Sequence, residues 1–572
     1  MKKKIIRREM TDSPLDLHPL LRRIYAARCI QSPKELERSV NELHPYHALK
    51  GIDVAAQLLA DAVITQQSIL IVGDFDADGA TSTTVAVRAL LSFGVRDVNY
   101  LVPNRFAYGY GLTPELVEEA KKFNSDVLVT VDNGIANHAG VAAAKAAGMR
   151  VIITDHHLAA DTLPMADVIV NPNQPGDTFP SKNLAGVGVI FYVMLALRRQ
   201  LLARHWFAEK KLPEPNMSRL LDIVALGTVA DLVPLDHNNR ILVYQGLQRI
   251  RSGQCVPGIV ALLELSNRDF RKCTASDLGF AVAARLNAAG RLDDMSLGIE
   301  CLLTDDSFKA REMARVLDGL NDERKTIERD MQTHALTLLE KLQSSLQAVL
   351  PKGLALFDPS WHQGVIGILA SRIKDRFNRP VIVFAPGQGD EIKGSARSIA
   401  GLHIRDALTL IDIKHPGLIN KFGGHAMAAG LTLKRNRFDE FARAFDEVVS
   451  KQLSDADLEH SLLSDGELST DDFNLKTATL IRDAGPFGQA FPEPLFDDTF
   501  HILEQRLVGD KHLKLRLKKE NKMIDAIAFF VDTAQWPNHR CNAVRAAYRL
   551  DINEYKGVSN VQLIVEYMEP LD

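Results

Sequence analysis

The stretch SILIVGDFDADGATS, residues 68–82, joins an apolar run to three carboxylates at alternate positions. The run ILIV is typical of a buried β-strand, and Asp74, Asp76 and Asp78 follow it directly. Like charges crowded at the end of a buried strand raise each other's pKa values unless cations lie between them. The stretch therefore predicts a strand whose carboxyl end holds divalent cations.

Three more strand-like runs follow, each separated from the next by a helix-like segment. They are DVLVTVDNG at 126–134, RVIITDHH at 150–157 and ADVIVNPN at 166–173. Continuous apolar strands alternating with helices predict an α/β fold, a doubly wound parallel sheet covered on both faces. Ligands of such sheets bind beyond the carboxyl ends of the strands. We therefore expect Asp132, Asp155, His156 and His157 to meet the first three carboxylates.

Two simpler explanations of the acidic stretch account for less of it. A calcium loop that begins at Asp74 has Gly79 in place, but Val85 stands where the bidentate Glu belongs. A helix cap explains one Asp but not three. Carboxylates mixed with imidazoles favour Mn²⁺ or Mg²⁺, and this many ligands suits two ions about 4 Å apart.

The motifs DFDADG, VDNG and TDHH, followed by LGTVADLVPL around Asp231, resemble those of the DHH phosphoesterase superfamily. The resemblance implies a set of metal ligands: Asp74, Asp76, Asp78, Asp132, His156 and Asp231. It also implies that Asp155 is a hydrogen-bond acceptor behind the metal ligands and does not bind an ion itself, and that His157 faces the phosphate. One position departs from the pattern, because many members have a His where this chain has Val72. Asp74 is expected to replace that ligand, or one ion is held more weakly.

The rest of the chain predicts four further segments around this catalytic unit. We expect an N-terminal segment at 1–50, the DHH catalytic domain at 51–265 and a long helical connector, one helix or a helix pair, at 266–350. A smaller α/β unit at 351–455, with GSARS and GGHAMAAG, resembles the DHHA1 substrate-binding domain. Short strand signals at 456–572 predict an OB-fold-like β-barrel that binds DNA.

Candidate contacts to a phosphate backbone come from three places in the chain. They are Arg285, Asn287 and Arg291 in ARLNAAGRLDD; Ser395, Arg397 and His425 in the DHHA1-like unit; and Lys514, Arg516 and Lys518 in KHLKLRLKK. In the last of these stretches Leu513, Leu515 and Leu517 alternate with the basic residues, so one face should pack the barrel and the other should be basic. A basic strand face suits a single-stranded phosphodiester backbone.

Taken together, the resemblance implies a metal-dependent 5′-to-3′ exonuclease that hydrolyses single-stranded DNA in DNA repair and recombination. Alternatives are a phosphodiesterase for cyclic dinucleotides or short oligonucleotides, and a non-catalytic DNA-binding scaffold. The net charge of -4 does not exclude DNA, because bound cations offset clustered acids. Five scattered cysteines, and no apolar run near the roughly 20 residues of a membrane span, predict a cytoplasmic protein that binds no membrane. We expect a monomer, with single-strand-binding protein and repair helicases as partners that the resemblance suggests.

Overall fold

The chain between residues 52 and 203 alternates strands with helices, as its apolar runs predict, and helices alone follow up to residue 303. The structure, a computed structural model, describes residues 3–9, 15–104, 108–346, 350–555 and 557–571. Its elements in this first part are β1 (Lys3–Arg7), α1 (Pro19–Ala26), α2 (Ile52–Ile64), β2 (Ile69–Val72), α3 (Ala77–Ser92), β3 (Val98–Leu101), α4 (Pro114–Ala120), β4 (Val127–Val131), α5 (His138–Ala146), β5 (Arg150–Thr154), β6 (Val168–Val170), α6 (Gly186–Ala203), α7 (Trp206–Glu209), α8 (Leu221–Ala230), α9 (His237–Arg251), α10 (Pro257–Leu265), α11 (Ala275–Asp277), α12 (Ala284–Leu292) and α13 (Ser296–Leu303). A π-helix, Leu278–Ala283, leads directly into α12.

Strands β2 to β6 form a five-stranded parallel sheet in the order β3-β2-β4-β5-β6. Ile69 and Ile71 of β2 face a core shared with α2, α3 and α6, whereas Leu70 and Val72 face a second core shared with α4 and α5. The doubly wound fold is therefore confirmed. The strand order reverses between β2 and β4, which is where such sheets open a crevice for ligands.

Helix α6 differs from what the sequence led us to expect. Its 18 residues are long and apolar enough, by length and composition, to cross a membrane. However, 67% of the helix is buried inside the protein, against α2, α3 and α8. We therefore interpret α6 as a core helix.

The connector is one continuous helix, α14 (Ser307–Leu346), of 40 residues. Ala310, Ala314 and Leu317 belong to the core of the first part, whereas Met331 and Leu339 pack with a helix of the next unit. Residues on both sides of the predicted boundary at 265 lie in that first core, and the boundary stays a prediction. Residues 347–349 of the predicted connector lie outside the described part of the chain.

A second, smaller α/β unit follows the connector, as predicted. Its elements are β7 (Leu354–Phe357), α15 (Ile366–Phe377), β8 (Val381–Pro386), β9 (Glu391–Arg397), α16 (Ile404–Lys414), β10 (Lys421–Gly424), β11 (Ala428–Lys434) and α17 (Phe438–Gln452). The sheet has the order β10-β11-β9-β8-β7, in which only β7 and β8 are parallel. The unit is therefore a mixed sheet with its own core of side chains from α16 and α17.

The chain ends in a closed five-stranded barrel. The last elements are β12 (His460–Ser464), α18 (Leu475–Ala484), β13 (Phe496–Val508), β14 (His512–Lys519), β15 (Lys522–Ala528), β16 (Ala543–Tyr555) and β17 (Val558–Leu571). The barrel order is β13-β14-β15-β17-β16, and its interior side chains join the core of the first part. Strand β12 pairs in parallel with β1, so the N-terminal strand is fastened next to the barrel.

Candidate active site

All three acidic side chains reach the sheet edge, two from the loop between β2 and α3 and one from the first turn of α3 itself. Asp76 is the N-cap of α3, and its Oδ1 accepts the backbone N–H groups of Asp78 and Gly79 at 2.9 and 3.0 Å. A capping carboxylate keeps its second oxygen for another ligand. The helix cap is therefore real, but it uses only one oxygen of one of the three aspartates.

Asp78 is the second residue of α3, and the start of α6 holds its side chain. Its two oxygens accept the backbone N–H groups of Gly186 and Val187 at 2.6 and 3.0 Å. Burial and the charge of Asp231 raise the pKa of Asp78 to about 7. An acid in this position needs a cation to stay ionised at neutral pH.

Asp132 follows β4 in a strained backbone conformation. Its φ is +61°, in the left-handed region that residues other than glycine rarely adopt, and its side chain is buried. A Cβ on Gly186 would lie 2.8 Å from Asp132 Oδ1, so the first residue of α6 has to be glycine for this close approach. Burial and the charge of Asp78 raise the pKa of Asp132 well above its ordinary range. Strain of this kind concentrates at functional sites.

The DHH stretch after β5 presents its two imidazoles differently. Asp155 Oδ1 accepts the ring Nδ1–H of His157 at 2.7 Å and the backbone N–H of His156 at 2.7 Å, and Oδ2 accepts that of Ile135 at 2.9 Å. Burial opposes ionisation of Asp155, but the charge and hydrogen bond of His157 outweigh it and lower the pKa to about 2. Burial likewise opposes protonation of His157, but Asp155 raises its pKa to about 9. The pair is therefore an ionised carboxylate beside an imidazolium.

His156 points to the acidic cluster instead. Its Nε2 lies 3.1 Å from Asp132 Oδ1, 3.4 Å from Asp231 Oδ2 and 3.9 Å from Asp78 Oδ2. Burial and the charge of His157 lower the pKa of His156, so its ring is neutral and able to bind a metal. Asp231 stands at the end of α8, where burial and Asp76 raise its pKa to about 7.

Ligand atoms from four separate parts of the chain therefore converge. Three groups have ligand atoms that all lie within 4.8 Å of one another: Asp132 with His156 and His157, Asp78 with His156 and Asp231, and Asp74 with Asp76 and Asp132. Val72, by contrast, is fully buried in the core on the α4 and α5 side and adds no ligand.

The chemistry of this set fits divalent cations. Asp132 Oδ1 and His156 Nε2 are buried and lie 3.1 Å apart, yet neither atom has a hydrogen-bond partner among the described residues. Two ligands of one small ion stand about this far apart, since each bond to the ion is close to 2 Å long. Oxygen and imidazole donors suit Mn²⁺ and Mg²⁺. Asp74, Asp76, Asp78, Asp132, His156 and Asp231 would hold the ions.

The second α/β unit contributes one ring beside the candidate metal site and an arginine without an acid partner on β9. The ring of His425 stacks on that of His157, with centroids 6.3 Å apart. Arg397, on β9, donates from Nη1 to Ser395 Oγ at 3.2 Å, and it forms no salt bridge with any acid in the described chain. Burial lowers the pKa of Arg397. A partly buried arginine without a carboxylate partner is typical of an anion site.

The three candidates in ARLNAAGRLDD separate. The Asn287 side chain accepts a hydrogen bond from the backbone N–H of Ala77 at 2.9 Å and so joins α12 to the start of α3. Arg291 lies where the first part meets the second unit, and Gly364 of that unit packs against its carbonyl. Arg285, which we predicted to contact a phosphate backbone, instead has its guanidinium bound to groups of the protein. It is buried, its Nε donates to Asp318 of α14 at 2.8 Å, and its Nη1 donates to the Ala281 carbonyl at 2.7 Å.

On the barrel, Leu513, Leu515 and Leu517 are buried, and the basic residues between them point outward. The alternation predicted for β14 is therefore confirmed, although its basic face is less uniform than the sequence suggests. Arg516 lies 4.0 Å from Glu504 of β13 and pairs with Asp525 of β15 across the ladder. Neighbouring acids thus offset the central charge of the stripe.

Tyr110 is a site residue that sequence reasoning missed. Its hydroxyl donates to the Asp132 carbonyl at 3.2 Å and lies 3.2 Å from Nδ1 of His157, and its ring packs edge-on to that of His157. Although 44% of the residue is exposed, its hydroxyl lies inside the site, where burial and the charge of Asp74 raise the pKa of Tyr110 well above its ordinary range. It therefore stays a hydroxyl donor. The glycines of YGYGL were the only signal for it, since they allow the loop to approach the sheet edge.

Three family models match the chain in succession. Residues 68–228 match the DHH family N-terminal domain, 348–451 the DHHA1 domain and 464–567 the RecJ OB domain. Among solved structures, RecJ from Thermus thermophilus in complex with Mn²⁺ covers 97% of this chain and 76% of its own, with a TM-score of 0.79 and 30% identity. The corresponding complex with Mg²⁺ has a TM-score of 0.74 and 28% identity, and covers 97% of this chain and 75% of its own.

Relatives of known function are similar in sequence to this chain over nearly its whole length. The single-stranded-DNA-specific exonuclease RecJ of Salmonella typhimurium is 55% identical over 98% of both chains. That of Escherichia coli is 54% identical, again over 98% of both chains. The chain therefore belongs to the RecJ family of single-stranded-DNA-specific exonucleases.

Proposed function

We propose that this protein is a divalent-metal-dependent exonuclease that hydrolyses single-stranded DNA in the 5′-to-3′ direction. The observation that carries the proposal is the set of buried acids around His156, whose Nε2 lies within 4 Å of Asp78, Asp132 and Asp231. The family's relatives support the choice of single-stranded DNA as the substrate. The Mn²⁺ and Mg²⁺ complexes of the Thermus thermophilus protein support the choice of metal.

The side chains divide the work of hydrolysis between them. Divalent ions bound by the six ligands supply activation of water and neutralisation of the phosphate charge. His157, held by Asp155 as an imidazolium at neutral pH, donates a hydrogen bond to a phosphate oxygen and stabilises the charge that develops there. The Tyr110 hydroxyl, which contacts both His157 and the Asp132 carbonyl, fixes the ring of His157.

Arg397 and Ser395 form the site for the terminal phosphate. Arg397 is the cation without an acid partner described above, and it lies in the unit whose His425 faces the metal centre. A Cβ on Gly367 would lie 3.1 Å from both Arg397 Nη2 and Ser395 Oγ, so the glycine keeps the space beside them open. A clamp that selects a terminal phosphate next to the metal centre gives the enzyme its direction from the 5′ end.

The family also supports a cellular setting. We infer a role in DNA repair and recombination in the cytoplasm, carried out by a monomer that works with single-strand-binding protein and repair helicases. Co-purification of these partners with the tagged protein, and its mass in solution, test this setting.

The decisive experiment compares substrates under one condition. The protein with Mn²⁺ is incubated with 5′-labelled single-stranded DNA, blunt duplex of the same sequence and a cyclic dinucleotide. We expect labelled mononucleotide to appear at once from the single strand and little product from the other two. Rapid turnover of the cyclic dinucleotide with an intact single strand would instead indicate a small-substrate phosphodiesterase.

Arg397→Gln tests the terminal clamp. We expect KM to rise for a 5′-phosphorylated strand but to change little for a 5′-hydroxyl strand, because the lost contact is to the phosphate. Arg443→Gln, which removes an exposed arginine on α17 of the same unit, is the matched control. An equal rise in KM for both strands would exclude a clamp specific for the terminal phosphate.

A further inference from the structure

A cavity of about 940 Å³ lies between the end of α3, the chain before α8 and the segment that joins α9 to α10. Helices α3 and α8 pack against each other, and each has a candidate metal ligand, Asp78 or Asp231, at its other end. Arg88, which lines the cavity, follows Asp78 by ten residues, and Leu220 precedes Asp231 by eleven. A helix rises about 1.5 Å per residue, so roughly 15 Å separates the cavity from the metal site.

Two arginines of the cavity have no acid partner. Arg219 is exposed and forms no ion pair or side-chain hydrogen bond with any residue that the structure describes. Arg249 donates from Nη2 to the Gln254 carbonyl at 2.8 Å, but its buried Nε has no hydrogen-bond partner in the described chain. Burial raises the pKa of the neighbouring Asp222, whose Oδ1 contacts no donor among the same residues, so Asp222 does not pair with Arg249. A buried donor without an acceptor is costly, and a bound anion would supply the acceptor.

The acids that line the cavity already have partners. Asp305 accepts from Nη2 of Arg88 at 2.9 Å. Glu214 forms a salt bridge with Arg198, which stands outside the lining. The charges of Arg219 and Arg249 are therefore left over, and the cavity is positively charged.

The rest of the wall is apolar and fixed in place. Met217 and Val256 belong to the core of the first part, and the Pro215 carbonyl accepts from Nε of Arg198 at 2.8 Å. Three prolines line the cavity: Pro213, Pro215 and Pro257. A wall that is formed before a ligand arrives reduces the entropy lost on binding. The volume falls within the range of roughly 300–1,000 Å³ that is typical of sites for small molecules.

We propose that this cavity is a second ligand site, which binds an organic phosphate monoester with its phosphate on Arg219 and Arg249 and its organic part on the apolar wall. A phosphate monoester carries a charge of roughly −1.5 to −2 at neutral pH, which matches two unpaired guanidinium groups. The terminal carboxylate of a peptide carries only a single negative charge. Guanidinium groups also present their donors in the geometry that phosphate oxygens accept. The inference goes beyond the proposed function, because neither the metal site nor the clamp at Arg397 includes this cavity.

The test is isothermal titration calorimetry on the full chain, with dTMP as the probe. EDTA prevents hydrolysis, and an excess of a short 5′-phosphorylated strand occupies the clamp at Arg397. We expect one dTMP to bind per chain, and thymidine or inorganic phosphate to bind much more weakly, because each lacks one half of the ligand. Arg219→Gln and Arg249→Gln should each lower the affinity for dTMP about tenfold, since each removes one charge-assisted contact.

A second pair of variants changes the space and not the charge. Ser92 lines the cavity at the end of α3, so Ser92→Trp places an indole there and should abolish dTMP binding, whereas Ser92→Ala keeps the space and should bind normally. Arg22→Gln removes an exposed arginine of α1 that does not line the cavity, and it should leave the affinity unchanged.

Three results would overturn the second site. They are unchanged dTMP binding in both Arg219→Gln and Ser92→Trp, loss of the binding in Arg397→Gln, which would place dTMP at the clamp, and binding of an acidic peptide without any binding of dTMP. Hydrolysis of single-stranded DNA is measured separately, so a failure of the proposed function would appear there and would leave the calorimetric result as it is.

Discussion

Replacing Asp155 with Asn is expected to make exonuclease activity strongly dependent on pH. Asp155 Oδ1 lies 2.7 Å from Nδ1 of His157. Burial pulls the pKa of His157 down, and Asp155 is the main group that raises it to about 9 from the ordinary 6.5. An amide in place of the carboxylate removes that charge, so the pKa of His157 falls back toward its ordinary 6.5. Its imidazolium is then lost from the upper part of the physiological range.

The size of the effect follows from the two pKa values. At about pH 8 a group with a pKa of about 9 is roughly 90% protonated, whereas one with a pKa of about 6.5 is roughly 3% protonated. Activity that requires the imidazolium should therefore fall about 30-fold in Asp155→Asn at that pH. At about pH 6 both proteins are mostly protonated, and the loss should be less than about twofold.

The assay is kcat/KM for a single-stranded substrate between these two pH values, with Mn²⁺ saturating at each. Mn²⁺ affinity is titrated in parallel, because the variant must still bind the metal. Asp222→Asn is the matched control: Asp222 is also fully buried and accepts a backbone N–H, that of Val256 at 2.8 Å, but it lies outside the site. A loss of the same size at both ends of the range would show that Asp155 acts on something other than the protonation of His157.

Three further changes have directions fixed by the structure. Asp132→Ala should abolish hydrolysis while the far-ultraviolet circular dichroism stays that of the folded protein, and normal turnover by this variant would refute the assigned centre. Without metal, Asp78 and Asp231 have pKa values near 7, so the folded state keeps protons that the unfolded chain has released, and stability falls as pH rises from about 4 to 7. Mn²⁺ should therefore raise Tm more at about pH 8 than at about pH 5. An equal rise at both pH values would argue against these ligands. Arg285→Ala should lower the free energy of unfolding by about 1–3 kcal/mol, because it leaves the Asp318 carboxylate without its partner, and KM should not change. A raised KM would indicate that Arg285 contacts the substrate.

Much of the candidate metal site was predictable from the sequence, because two local rules are enough to bring its residues together. An apolar run marks each strand, and parallel strands bring their carboxyl ends to one edge. Asp132 and His156 are therefore placed near Asp78 without knowledge of the helices between them. Asp76 was less predictable. From the sequence, a helix cap and a metal ligand were alternative roles for an aspartate here, whereas in the structure Asp76 caps α3 and also lies in a ligand group.

The candidate contacts to the polymer were less predictable from the sequence, because the surroundings of these side chains depend on residues distant in the chain. Arg285 was a candidate phosphate contact in the sequence, but its partner Asp318 comes from the connector helix, 33 positions later. Arg516 belongs to an evenly basic strand in the sequence, yet the register with β13 and β15 sets Glu504 and Asp525 beside it. The pairing register of β14 with its neighbours depends on the whole barrel, so the sequence of β14 alone does not predict it.

Two features of the sheet edge where the candidate ligands meet lower the stability of the fold. Asp132 adopts a left-handed backbone, which costs on the order of 1–3 kcal/mol, and it does so beside buried carboxylates that repel one another. A fold that served only to bind DNA would gain stability by replacing Asp78 or Asp132 with an amide, because that removes the repulsion and keeps the shape. The chain instead keeps every acid, and it keeps glycine at position 186 so that Asp132 can approach. These features are stabilising only when cations occupy the centre, which argues for a catalyst rather than a scaffold.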